Sequence, residues 1–348
     1  MGKQLFLNGA EVQLERLSKK GDPLEKVSAI VNWEKFRPKL QDRVRKESYP
    51  KGGRPAFDVV LMFKIAMLQN WYNISDESAE YLINDRLSFK RFLGMELGEK
   101  APDANTIWLF KEQLGKQGMR AMFDEFDELL EKSGIITHKG SIYDASFVDV
   151  PKQRNTKDEN DKIKNGEIPE EWKQAGNEKK LRQKDTEARW AKKGSETHYG
   201  YKDHVKVDND SKIITAFSVT SANVHDSKEI VGLVDEKDEV AYGDSAYVGK
   251  ELHREIREKN PKIELRINEK GYKNRPLTDE QKESNRQKSK VRARVEHVFG
   301  YITRFMNGIS IRTIGIDRAE REICGMNLAY NIKRAVYLVS EKKAVLAS

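Results

Sequence analysis

The stretch from Gly140 to Val150, GSIYDASFVDV, places an acid, Asp144, in the middle of a β-branched and aromatic run. Side chains of this kind fit a pleated, covered surface, so the run predicts the central strand of an enzyme core. A carboxylate on such a strand is unfavourable unless a cation or a metal ion compensates it. Any fold built around residue 144 must therefore bring opposite charge to the middle of its sheet.

The chain has 348 residues, enough for two domains with sizeable cores, and its patterning changes near residue 135. From Leu14 to about Leu114 the pattern is helical, with Gly21 as a stop and Pro23 and Pro102 at first-turn positions. Phe57 to Tyr72 is apolar nearly all round, which suits the buried helix of a small bundle. Ser75 starts the next helix, Phe89, Phe92 and Leu93 close a third before Gly94, and Asp103 caps a helix running from Ala104 to Leu114. Short helices with tight turns fit a helix-turn-helix that enters a DNA groove, and equally a helical dimerisation bundle. Met119 to Ser133 is again helical and leads into the strand at Gly140.

Beyond Val150 comes a polar segment, Pro151 to Glu196, with Trp172 and Trp190 as its only large anchors. A segment of this length is either a disordered or solvated flap or an insertion that grips DNA. His198–Asp208 and Lys212–Thr220 then alternate as a hairpin with Asn209 and Asp210 at its turn. Asp226 and Glu229 have the spacing of a capping box opening a short helix to Val234. A strand from Glu239 to Gly243, a helix from Val248 to Asn260, an alternating strand at Ile263, Leu265 and Ile267, and helices Glu283 to about Asn307 and Asp317–Val339 complete the chain. This is the element order of a ribonuclease H-like α/β sheet. The expected fold is an all-helical domain over 1–135 followed by a ribonuclease H-like mixed-sheet domain over 136–348, with a long polar insertion at 151–196 after the first strand.

Two later carboxylates fall where they can meet Asp144. Asp244 ends its strand on the carboxyl side, where open α/β sheets place their ligands. Val291, Val295, Val298, Ile302 and Met306 form an apolar stripe that must lie on the sheet, and Glu296 projects about 100° from Val295 at the edge of that stripe. Arg292, one turn earlier, is placed to hold a phosphate or to pair with Glu296. Three carboxylates suit Mg²⁺ or Mn²⁺, which take oxygen ligands, and a pair of such ions about 4 Å apart serves in-line displacement at phosphate. Any one of the 56 acids taken alone reads as readily as a solvated or paired side chain.

Arg286, Lys288, Lys290, Arg292 and Arg294 put five cations in nine residues with no acid among them. Alternation by two cannot share one helical face, so this run is either an extended arm or a helix ringed by charge. Either would bind a phosphate backbone with a steep salt dependence. His198, His204 and His225 raise a zinc alternative, which lacks a tight ligand pair. Lys202 and His204, on one strand face with His198, are instead candidate phosphate contacts, or simply a polar strand face.

A formal charge of +8, with 34% charged residues against a globular average of about 25%, favours a polyanionic partner. Apolar runs fall far short of the roughly 18 residues needed to span a bilayer, and Met1 to Ala10 has no signal-peptide pattern. A cytoplasmic location without membrane attachment is expected. The single cysteine, Cys324, excludes an intrachain disulfide and a Cys-based zinc site.

Several stretches carry a resemblance together: GRPAFDVVLMFKIAMLQNWYNISDESAEYLINDRLSFKRFLG from Gly53, PDANTIWLFKEQL from Pro102, YDASFVDVPKQRN from Tyr143, HYGYKDHVKVD from His198, TSANVHDS from Thr220, YGDSAYVG from Tyr242 and RARVEHVFG from Arg292. In this order they resemble the DDE transposases of bacterial insertion sequences, family five of the four-and-five group. The resemblance implies that Asp144, Asp244 and Glu296 are the catalytic and metal-holding triad, with 99 and 51 residues between successive members. It implies two Mg²⁺ or Mn²⁺ ions per active site, and that Gly53 to about Leu114 is the region associated with terminal-repeat DNA. The related Tyr, Arg, Glu, Lys signature is met by Arg292 and Glu296, whereas its outer positions are Ser289 and Thr303, with Arg304 one residue on. The expectation is an enzyme that binds the terminal inverted repeats of its element, cleaves at the ends and joins the 3′-hydroxyls to target DNA. It would act at the nucleoid as a homodimer or larger assembly on DNA. Arg286, Lys288, Lys290, Arg292, Arg294, Arg304, Lys202 and His204 are the expected DNA contacts. A catalytically inactive DNA-binding repressor and a ribonuclease H-like nuclease without strand transfer are the alternatives.

Overall fold

The computed structural model describes residues 9–44, 56–174, 176–306, 310–341 and 344–346. Residues 1–8 and 53–55 and the helix end expected at Asn307 lie outside the described residues. The chain divides into two compact units, Met1–Ile135 with Gly325–Ser348, and Ile136–Cys324. The last stretch, expected from sequence to belong to the second domain, is thus grouped with the first.

The first unit is built of helices α1 (Gly9–Lys19), α2 (Pro23–Ile30), α3 (Arg37–Arg43), α4 (Val59–Tyr72), α5 (Asp76–Asp85), α6 (Leu87–Leu93) and α7 (Ala104–Lys132). Ser75 and Asp103 cap their helices as expected, and Asp22 and Asp58 likewise accept backbone N–H groups of their first turns. α4 is buried on all sides, as its apolar circumference requires, and an aromatic cluster of Trp33, Phe36, Phe63, Trp71 and Phe92 packs around it in tilted and edge contacts. The two helices read separately as Ala104–Leu114 and Met119–Ser133 are one element, α7, broken at Gly115, whose φ of 59° only glycine adopts freely.

Lys333 lies in the part of the final helix that belongs to this unit, its Nζ 4.6 Å from the centre of the Trp71 ring. Burial pulls its ammonium down to about 8, opposed weakly by Asp22. Below pH 8 the folded state carries the full penalty of that buried charge. Between pH 8 and the unfolded value near 10.5 the folded state sheds the proton first, so stability rises with pH. Lys333→Met is expected to stabilise the protein at pH 7 by roughly 1 to 3 kcal/mol, with the gain vanishing towards pH 10.5. Urea unfolding of both proteins at pH 7 and pH 10 checks this; an equal gain at both pH values would refute the charge penalty.

The second unit holds a mixed sheet of β1 (Ser141–Asp149), β2 (Arg189–Lys193), β3 (Glu196–Asp208), β4 (Ile214–Ser221), β5 (Val240–Gly243) and β6 (Glu264–Ile267). β3 pairs antiparallel with β1 on one side and with β2 and β4 on the other; β5 and β6 continue parallel beyond β1. Leaving out β2, the order β4-β3-β1-β5-β6 is the ribonuclease H-like arrangement. Between β1 and β2 run three short helices, α8 (Lys157–Lys164), α9 (Glu170–Lys173) and α10 (Glu178–Arg182). The later helices are α11 (Ile230–Leu233), α12 (Lys250–Lys259), α13 (Asp279–Phe305) and α14 (Ile316–Ser340), the last of which runs on into the first unit's share of the chain.

The polar insertion is therefore folded. Trp172 is completely buried, donates Nε1–H to Glu159 at 2.8 Å and lies under the Lys180 and Lys184 ammoniums. One large aromatic ring thus holds a segment that is otherwise too polar to form a core. Asp185, also buried, accepts from Tyr201 Oη of β3, from the Glu187 and Ala188 amides and from the Gly315 amide, which fastens the insertion to the sheet. β2 was not legible as a strand because RWAKK offers no alternating apolar face. Among the described residues no helix is long and apolar enough to cross a membrane.

Candidate active site

β1 and β5 are parallel neighbours with Ser141 opposite Ala241 and Ile142 opposite Tyr242. Extending that offset sets Asp144 level with Asp244, which follows the last residue of β5. Asp244 caps the single 3-10 turn Ser245–Tyr247, its Oδ1 accepting from Ala246 N at 2.8 Å. Gly243 permits this turn: a Cβ there would stand 2.8 Å from Cδ2 of Tyr247 and 3.0 Å from Cδ1 of Ile267. The ring of Tyr247 is buried against the strand end that carries Asp244.

Asp144 is oriented from two sides. Its Oδ1 accepts the Ala145 amide at 2.9 Å, and its Oδ2 receives Nη1 of Arg292 from α13 at 2.9 Å. Nη2 of the same guanidinium reaches Oε1 of Glu296 at 3.5 Å, one helical turn on. Exposure grades outward through the trio, with 17% of the Asp144 side chain, 23% of Arg292 and 64% of Glu296 open to solvent. Burial pushes the Asp144 carboxyl above its ordinary value; the Ala145 amide and Arg292 pull it back, and the charge of Asp244 raises it again. Burial likewise pushes the Tyr247 hydroxyl well up, helped by the charges of Asp144, Asp226 and Asp244.

Asp226 is thus a further carboxylate beside the site. The sequence reading assigned it, with Glu229, to a capping box, and the structure corrects this. His225 caps the short turn Asp226–Lys228, Glu229 accepts the Ser218 hydroxyl, and Asp226 receives Nζ of Lys202 at 2.7 Å. The spacing was right for a box, but the backbone turns as 3-10 rather than α-helix before α11 begins.

The other expected contacts divide. Lys202 pairs across the strands with Phe147, and His204 with Ala145. Since neighbours along a strand alternate faces, both point to the side of the sheet away from Asp144. Lys202 is held by Val224 O and Asp226, and His204, 1% exposed, meets Thr220 Oγ1 through Nε2. Strand parity thus separates both side chains from Asp144, while Lys202 lies against Asp226. His198 stacks on Phe147 at 4.2 Å, and His225 caps the turn Asp226–Lys228.

The basic run is helical, ringed by charge rather than extended, and opens behind a capping box of Thr278 and Gln281. Lys288 donates to Ile267 O at the end of β6, and Arg294 to Asn209 in the β3–β4 turn. These two fasten α13 across the sheet. Arg286, Lys290 and Arg304 remain exposed, Arg286 alongside Glu283. At the outer signature positions, Ser289 Oγ accepts from Asn268 and Thr303 Oγ1 donates to its own helix at Phe299 O.

The donor chemistry of Asp144, Asp244 and Glu296 fits a hard divalent cation, and the bonds to the Ala145 and Ala246 amides fix the two aspartates much as orienting partners fix metal ligands. As the side chains lie, however, no three of His, Cys, Asp and Glu among the described residues are gathered closely enough to hold a metal ion. Arg292 supplies the positive charge that Asp144 requires, and Glu296 lies on the outer side of its guanidinium.

Residues 136–332 match the family model described as Transposase DDE domain, and residues 12–113 match one described as Transposase domain (DUF772). A search of solved structures returns a piggyBac transposase synaptic complex with hairpin DNA, at 12% identity and a TM-score of 0.42, covering 93% of this chain and 75% of that one.

Proposed function

The chain belongs to the transposase DDE domain family and is a DNA transposase, an enzyme of DNA strand cleavage and transfer, and we propose that it acts at the terminal inverted repeats of its own element through Asp144, Asp244 and Glu296. The observation that carries this assignment is the parallel register of β1 and β5, which carries Asp144 within β1 and Asp244 just past the end of β5, with Glu296 linked to Asp144 through one guanidinium. Asp144 and Asp244 would hold two Mg²⁺ or Mn²⁺ ions, with Glu296 completing the coordination of one. When bound, these ions supply Lewis-acid activation of an attacking water or 3′-hydroxyl and charge for the leaving oxygen. The protein's own part is to orient the carboxylates through the Ala145 and Ala246 amides and to present Arg292, with exposed Arg286, Lys290 and Arg304 on the same helix, to the phosphate backbone. The helical first unit is the proposed reader of the ends, and joining two ends in one event calls for a homodimer or larger assembly on DNA.

The test is cleavage of labelled DNA carrying the element's ends, with Mg²⁺, Mn²⁺ or EDTA, comparing wild type with Glu296→Gln. Expected is metal-dependent nicking at the element boundary that Glu296→Gln lowers by about 10²-fold or more while end binding persists. Specific binding without cleavage in any metal would indicate a repressor. Cleavage without end preference or joined product would indicate a nuclease.

A further inference from the structure

The contacts of Arg292 lead beyond that assignment, although they rest on it. We infer that Arg292 is the resident counter-cation of the carboxylate site, and that its guanidinium and a divalent ion compete for Asp144. Three observations support this. Oδ2 of Asp144, the oxygen left over once Ala145 N has taken Oδ1, is the one that Arg292 holds. The same guanidinium spans to Glu296, so a single side chain engages two of the three acids. Nε of Arg292 is buried with no hydrogen-bond partner among the described residues, so the bridge leaves one of its donors unsatisfied.

A fully satisfied buried ion pair would resist exchange, because each charge loses its compensation when the pair opens. This bridge is built otherwise. Its inner bond, to Asp144, is short and largely covered; its outer bond, to Glu296, is long and reaches a mostly exposed carboxylate. Glu296 can leave the bridge at little cost, since exposed pairs contribute little. Were a divalent ion held at Asp144, it would neutralise the buried carboxylate in place of Arg292, leaving the guanidinium available to an anion outside. Arg292 therefore stabilises the site between turnovers and opposes loading of the metal in DNA-free protein.

The experiment measures Mn²⁺ binding to the full-length, DNA-free protein by electron paramagnetic resonance, comparing wild type, Arg292→Gln and Arg292→Lys, with Asp144→Asn as the reference that removes the seat. Arg292→Gln is expected to bind Mn²⁺ about threefold to tenfold more tightly than wild type, whereas Arg292→Lys stays near wild type because it keeps the charge. Equal or weaker affinity in Arg292→Gln would overturn the competition. A second measurement needs no variant: modification of wild-type Arg292 by phenylglyoxal, followed by peptide mass spectrometry, should accelerate when Mn²⁺ is added. Unchanged or slower modification would overturn the proposal as well. Mn²⁺ binding that Asp144→Asn leaves intact would instead defeat the assignment of the triad, an outcome distinct from failure of the bridge.

Discussion

Asparagine at Asp144 is expected to lower end cleavage by at least about 10³-fold, equivalent to about 4 kcal/mol of transition-state stabilisation, while binding of the ends changes by less than about threefold. The substitution keeps the shape of the side chain, and its carbonyl oxygen can still accept the Ala145 amide. What it removes is the charge. Of the three proposed acids Asp244 and Glu296 are then left, and Glu296, on the outer side of Arg292, cannot stand in for an anion at the centre of the sheet. The effect on stability should be small by comparison. Losing the Arg292 pair is unfavourable, but relief of the burial penalty and of the repulsion from Asp244 is favourable, so the two oppose each other. Single-turnover cleavage of an end-labelled duplex, with a mobility-shift assay on the same preparation, separates these effects. Activity within tenfold of wild type would remove Asp144 from the chemistry.

Much of this arrangement was legible in the sequence because it depends on local rules. The caps at Ser75 and Asp103, the apolar circumference of α4 and the alternation of β3 and β4 each follow from side chains within a few residues of one another. Asp144 stood out because a charge in a β-branched run conflicts with its surroundings. Other features depend on register or on long-range partners. That Lys202 and His204 face away from Asp144 is decided by their pairing with β1, which a period-two pattern on β3 alone cannot supply. β2 forms because β3 is long enough to offer it an edge, and the insertion folds because Trp172 finds Glu159, Lys180 and Lys184. Asp226 looked like a helix cap since its actual partner, Lys202, lies on another element. The Arg292 bridge was half visible: the spacing to Glu296 is a helical turn, but the contact to Asp144 spans 148 positions of sequence.

The same distinction governs the largest expected stability effect, at Asp238, which no motif marks. This carboxylate is 2% exposed and accepts from Ser141 Oγ and Tyr143 Oη at 2.8 Å, from the Asp235 amide at 2.8 Å, and from Nζ of Lys206 at 3.3 Å. Ser141 and Tyr143 begin the strand that carries Asp144, and Lys206 is the cross-strand partner of Tyr143. One buried acid thus clamps β1 to β3 on the face opposite Asp144, and burial, together with the charge of Asp238, holds the Tyr143 hydroxyl far above its ordinary value. Asp238→Asn keeps an acceptor for Ser141 or Tyr143 but leaves the Lys206 ammonium buried without its counter-charge, a change expected to destabilise the unit by about 3–5 kcal/mol. If the uncompensated charge is the cause, adding Lys206→Met to Asp238→Asn should recover about 1–2 kcal/mol, a coupling that independent sites would not show. Urea titration of the wild type, both single variants and the double variant at pH 7 measures the cycle. A loss below about 1 kcal/mol in Asp238→Asn, or a double variant as unstable as the sum of the two single ones, would mean that hydrogen bonds rather than the buried pair hold β1 in register.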